Sequence, residues 1–166
     1  MSWTNECTES NVFKVVQPQE VKEVLELMGF CVYENEEGLS FSTSGEGTFF
    51  DENTEVVLSL KPCNIEGEYK NLIGIISDLT CDSIDLNTIS KDYGLKENEY
   101  MVTPIMEYLQ EQLLDKEYIT ITCAGFESRC SGSFSPFGDI TIITKNNVNF
   151  ESLANIAYKF LNENTK

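Results

Sequence analysis

Phe30-Cys31-Val32-Tyr33-Glu34-Asn35-Glu36-Glu37-Gly38-Leu39-Ser40-Phe41-Ser42-Thr43 is the stretch whose reading decides the fold. Two short runs flank Asn-Glu-Glu-Gly, a turn-forming tetrad. The pattern predicts a β-hairpin with strands over 30–34 and 39–43 and its turn at 35–38. Just upstream, Pro18 suits a first helical turn, Val21, Val24, Leu25 and Met28 recur at helical spacing, and Gly29 is placed to stop the helix.

Working outward, residues 12–16 read as a short strand and 44–47 as a turn. Residues 55–60 read as a third strand stopped by Pro62, 63–70 as a loop, and 72–76 as strand-like by β-branching, with a buried helical segment as the alternative. A short helix is expected over 85–93, ending at Gly94. Thr103 and Pro104 suit the N-cap and first position of another helix, with Met106, Leu109 and Leu113 as its apolar stripe. Strands 118–123 and 140–144 are expected to pair, joined by a long Gly- and Ser-rich connection. The chain closes on an amphipathic helix with Asn149 as N-cap. Its apolar face is Phe150, Leu153, Ala154, Ala157, Phe160 and Leu161, read as core. Hairpins and separate helices, without regular strand–helix alternation, predict an α+β protein. A single domain over 1–166 is expected, with a mostly antiparallel sheet and three or four helices.

Charge is the second strong signal. The 166 residues hold 28 acidic and 11 basic side chains and no histidine, a net charge of −17. Residues 1–60 carry 12 acids and 2 bases, residues 61–116 carry 11 and 5, and residues 117–166 carry 5 and 4. Over residues 23–60 there are nine acids, Glu23, Glu26, Glu34, Glu36, Glu37, Glu46, Asp51, Glu52 and Glu55, and no Lys or Arg. Such a balance disfavours direct binding to nucleic acid or an anionic membrane and favours fast encounter with a basic protein. The bland alternative is a solvated face that keeps the protein soluble.

Composition excludes much enzyme chemistry. Without histidine there is no Ser-His-Asp or Cys-His machine, and neither a nucleophile elbow nor a phosphate-binding P-loop is present. Thr88 and Lys91 have the spacing of an S/T-x-x-K pair but lack its companion motifs. A two-carboxylate glycosidase is compatible with composition, yet nothing marks a pair. The acid groups Asp78, Asp82, Asp85 and Asp51, Glu52, Glu55 do not match a calcium loop. No catalytic residue, metal ligand or cofactor is assigned.

The six cysteines form no C-x-x-C pair, and the segment 1–7 has neither a basic nor an apolar signal region. Reduced, mostly buried thiols and a cytoplasmic location are expected. No apolar run approaches the roughly 20 residues of a membrane span.

The segment 125–138 holds the only arginine, Arg129, with Phe126, Phe134 and Phe137. Arg and aromatic side chains anchor interfaces, although a hairpin tip folded back on the core would use the same residues.

These readings converge on an acidic protein-binding inhibitor, of the general kind seen in toxin-immunity proteins. It would occlude the basic active-site cleft of a toxin or nuclease. Glu34, Glu36, Glu37, Glu46, Asp51, Glu52 and Glu55 would face the cleft, with Phe126, Arg129 and Phe134 as further contacts. A nucleic-acid mimic would instead need carboxylates in rows along an elongated surface. A histidine-independent enzyme would need a deep pocket, and an assembly protein would self-associate.

Overall fold

In the computed structural model the hairpin forms where the sequence places it. The structure describes residues 3–44, 54–76, 84–128 and 134–164. In chain order the elements are β1 (Trp3–Ser10), α1 (Pro18–Leu27), β2 (Cys31–Asn35), β3 (Gly38–Ser44), β4 (Glu55–Ile65), β5 (Glu68–Ile76) and α2 (Leu86–Asp92). A 3-10 turn (Glu97–Glu99) precedes β6 (Tyr100–Pro104) and α3 (Ile105–Gln112). Then come β7 (Tyr118–Ser128), β8 (Phe134–Thr144), β9 (Asn147–Ser152) and α4 (Leu153–Asn164). The strands make two antiparallel sheets, a six-stranded one ordered β2-β3-β1-β7-β8-β9 and a three-stranded one ordered β5-β4-β6. This is an α+β fold. No helix among the described residues is long and apolar enough to cross a membrane.

Period-2 burial sorts the three-stranded sheet into two faces. Val56 and Leu72 join the main core, while Val57 and Ile73 join a second cluster with Ile89 of α2. The main core lies between the sheets and is filled by α1 and α3. α1 packs against β2, β3 and β5, and α3 against β4, β6 and β8. Val21, Val24 and Leu25 of α1 and Ile105, Tyr108 and Leu109 of α3 are fully or almost fully buried. Tyr108 Oη donates a 3.0 Å hydrogen bond to Glu20 Oε1, tying the two helices together. Burial, with the nearby Glu20 carboxylate, holds the Tyr108 phenol neutral well above its ordinary range.

Several expectations are corrected. The N-terminal segment, for which no element is expected, forms β1, pairing with β3 on one side and β7 on the other. Residues 12–16 form no strand, only isolated bridges from Phe13 to Leu39 and from Val15 to Leu113. Pro62 does not stop β4. The β4–β5 register is irregular between Leu58 and Cys63, so the missing N–H falls where no ladder pair needs it. The expected loop 63–70 is therefore the end of a hairpin turning at Glu66-Gly67. Thr103 is the penultimate residue of β6, not a cap. α3 begins at Ile105, whose N–H is satisfied by the Thr54 carbonyl at 2.8 Å. β7 and β8 continue past the expected 118–123 and 140–144, converting much of the Gly- and Ser-rich connection into ladder.

The last helix departs most. Asn149 and Phe150 belong to β9, and Ser152 Oγ accepts from the Asn155 N–H at the start of α4. Of the face read as core, Ala154 and Ala157 are exposed and Phe150 and Leu161 are each 58% exposed, while the side chains of Leu153 and Phe160 lie outside what is described. An amphipathic period shows which side of a helix is apolar, not that anything covers it. The thiols also differ from expectation, since Cys63 is buried but Cys7 and Cys31 are exposed.

Candidate acidic hairpin and its groove

The β2–β3 hairpin owes its shape to its turn residues. Asn35 Oδ1 accepts from the N–H groups of Glu37 and Gly38 at 2.8 and 3.1 Å. This side chain holds the turn in the way Asn characteristically does. Gly38 has φ +143°, and a Cβ there would lie 2.3 Å from the Phe13 carbonyl oxygen. Only glycine lets the hairpin approach the 12–16 segment this closely. Two hydrogen bonds lock the approach, Phe13 N–H to the Leu39 carbonyl at 2.8 Å and Leu39 N–H to the Phe13 carbonyl at 2.9 Å.

Pairing fixes which way the acids face. Glu34 lies opposite Leu39, which is buried, so both side chains are on the core-side face of the sheet at its β2 edge. From there Glu34 meets Lys22 of α1 at 3.7 Å. Glu36 and Glu37 project from the turn and are exposed. Neither forms an ion pair among the described residues.

The expected acidic surface is thus partly assembled. Glu34, Glu36 and Glu37 share one hairpin. Glu55 is half-buried at the start of β4, opposite Ile76 and Pro104 in the other sheet. Glu46, Asp51, Glu52 and Arg129 lie outside the described residues. Phe126 and Phe134 sit on the paired strands β7 and β8, where Phe126 is opposite Pro136 and Phe134 opposite Ser128. The absence of bases over 23–60 does not survive folding intact. Lys22 reaches Glu34, and Lys70 of β5 reaches Glu23 at 3.7 Å.

Beneath the hairpin lies an open groove of about 230 Å³. Its apolar lining is Phe13, Val15, Pro18, Leu39 and Leu114, and its polar lining includes Lys14, Glu34, Asn35 and Glu36. The walls are held by main-chain bonds, Val16 N–H to the Gln112 carbonyl at 2.8 Å and Leu114 N–H to the Lys14 carbonyl at 3.1 Å. Sequence reading missed Phe13, Val15 and Leu114 as site residues. The one available signal was the alternation of apolar residues with Lys14 in a segment too short for a regular strand.

A second hollow, of about 380 Å³, lies between the start of α1 and β5 and includes Glu20, Glu23, Tyr69 and Lys70. Its one lysine is already engaged, since Lys70 pairs with Glu23 and, at 3.1 Å, with Glu68. Those contacts, the Glu68 hydrogen bond foremost, raise the Lys70 pKa.

Compared with protein-family models, with curated proteins and with solved structures, the chain matches none.

Proposed function

We propose that this protein binds a basic protein partner through the β2–β3 hairpin and blocks the surface it covers, as an inhibitor of the immunity type does. The observation that carries this reading is the Glu36-Glu37 turn, exposed, without a lysine partner among the described residues, and held in one shape by Asn35 and Gly38. A turn ordered before binding loses little freedom on docking. A net charge of −17 draws a basic partner in by long-range attraction.

The described acids do not form one continuous row, because Glu55 belongs to the other sheet. That gives the hairpin reading more support than a nucleic-acid mimic.

The test is to capture partners from native host lysate at low and moderate salt and identify them by mass spectrometry. The capture is then repeated with Glu36→Lys/Glu37→Lys. A stoichiometric basic protein that weakens with salt, is lost with the double variant, and has an activity suppressed by the wild type is the expected result. A partner retained equally by the double variant would remove the hairpin from the interface.

A further inference from the structure

We propose that the groove under the β2–β3 hairpin receives a single lysine or arginine side chain of the protein partner. The inference rests on the proposed binding role and names what that surface recognises. Size is the first argument. About 230 Å³ falls short of the roughly 300–1,000 Å³ typical of small-molecule sites and suits one long side chain.

Chemistry along the groove is the second. Val15, Pro18 and Leu114 offer an apolar bed for a methylene stem, while Glu34 and Glu36 stand at the polar margin where a cationic head would arrive. Lysine and arginine are the side chains that join an apolar stem to a charged tip. The Lys22–Glu34 contact, at 3.7 Å with Glu34 half exposed, leaves that carboxylate able to accept a second cation.

Lys14 sets the sign of one outcome. It lines the groove, its Cγ would lie 3.3 Å from a Cβ added at Gly38, and its ammonium reaches no carboxylate within ion-pair distance among the described residues. Lys14 is a resident cation that an incoming one must displace or tolerate. Removing its charge therefore strengthens binding.

The experiment is a titration of the ¹⁵N-labelled full chain, followed by NMR, with Nα-acetyl-lysine methylamide and its uncharged counterpart Nα-acetyl-norleucine methylamide. Saturable shifts confined to Val15, Asn35, Gly38 and Leu39 are expected with the cationic probe only. Glu34→Gln/Glu36→Gln should weaken that binding about tenfold or more, and Lys14→Gln should tighten it severalfold. All three positions are exposed, so the variants keep the fold. Equal shifts from the neutral probe, shifts scattered over every acidic surface, or weaker binding by Lys14→Gln would overturn the proposal. A partner lost on Glu36→Lys/Glu37→Lys but held normally by Lys14→Gln and Glu34→Gln would leave the hairpin reading standing and sink the groove. Probe binding in the groove with no basic partner in lysate would do the reverse.

Discussion

At the tip of β2–β3 the turn is Asn35-Glu36-Glu37-Gly38, and at the tip of β4–β5 it is Ile65-Glu66-Gly67-Glu68. Both tips are acidic, glycine-containing and exposed. They differ in what surrounds them. Around β4–β5, Lys70 pairs with Glu68 and Glu23, and Lys61 pairs with Glu99 at 2.6 Å. That Lys61 contact, with the Lys96 N–H, lowers the Glu99 pKa. Around β2–β3 only Glu34 has such a neighbour. The glycines differ as well. A Cβ at Gly38 meets backbone, whereas a Cβ at Gly67 meets nothing within 4 Å. One hairpin is clamped to the body with both turn carboxylates free of ion pairs among the described residues, while the other stands clear and has Glu68 paired to Lys70 but Glu66 without such a partner. What distinguishes the proposed docking hairpin is less its acidity than the rigidity that Gly38 and Asn35 give it.

The largest break in this comparison comes from the two glycines. Gly38→Ala combines a disfavoured φ with a backbone clash and should cost on the order of 3 kcal/mol or more in urea denaturation. Gly67→Ala, with only its φ of +90° to contend with, should cost about 1 kcal/mol. Equal losses would mean that Gly38 is not a clamp. Next is charge. Glu36→Lys/Glu37→Lys should slow association with the captured partner about tenfold at low salt and flatten its salt dependence. Glu66→Lys/Glu68→Lys should change the rate much less, and a matched drop would show a field effect of net charge rather than docking at β2–β3.

A control for both hairpins lies in α1, which packs against β2, β3 and β5. Tyr108→Phe removes the hydrogen bond to Glu20 and should cost about 1 kcal/mol. The native phenol stays protonated while an unfolded tyrosine ionises near pH 10, so above that pH the unfolded state binds fewer protons and stability falls. The variant should lack that part of the alkaline decline when denaturation midpoints are compared at pH 8 and pH 11. The smallest effect is at Glu66, a non-glycine residue at φ +52°. Glu66→Asn should stabilise by about 0.5 kcal/mol, because Asn tolerates this conformation better. It should leave partner binding unchanged.

Much of this contrast can be read in the chain before folding is considered. The β2–β3 turn, the α1 stripe and the Asp85 and Gly94 ends of α2 are signalled by residues within a few positions of the structure they make. Asp85 does accept from the Asn87 N–H. What eluded reading depends on distant partners. β1 shows little apolar alternation, and its strand character comes from pairing with β3 and β7 on either side. The groove is made of 13–18, 34–39 and residue 114, and no local pattern announces that meeting. The acids of 23–60 look like one surface only until the chain passes from one sheet to the other between β3 and β4.

The central place of β1 also sets an order of events. Trp3 pairs with Ser128 and Ser10 with Ile121, so the two halves of the six-stranded sheet are joined only through the first strand made and one of the last. On the ribosome, β2, β3 and β1 must wait with an open edge until residue 128 has emerged. Pairing across such a separation is intrinsically slow. A chain cut short before β7 would carry the acidic hairpin on a sheet lacking that strand. The topology thus lets the hairpin seat early on β1 and α1, while closure of the six-stranded sheet waits for β7.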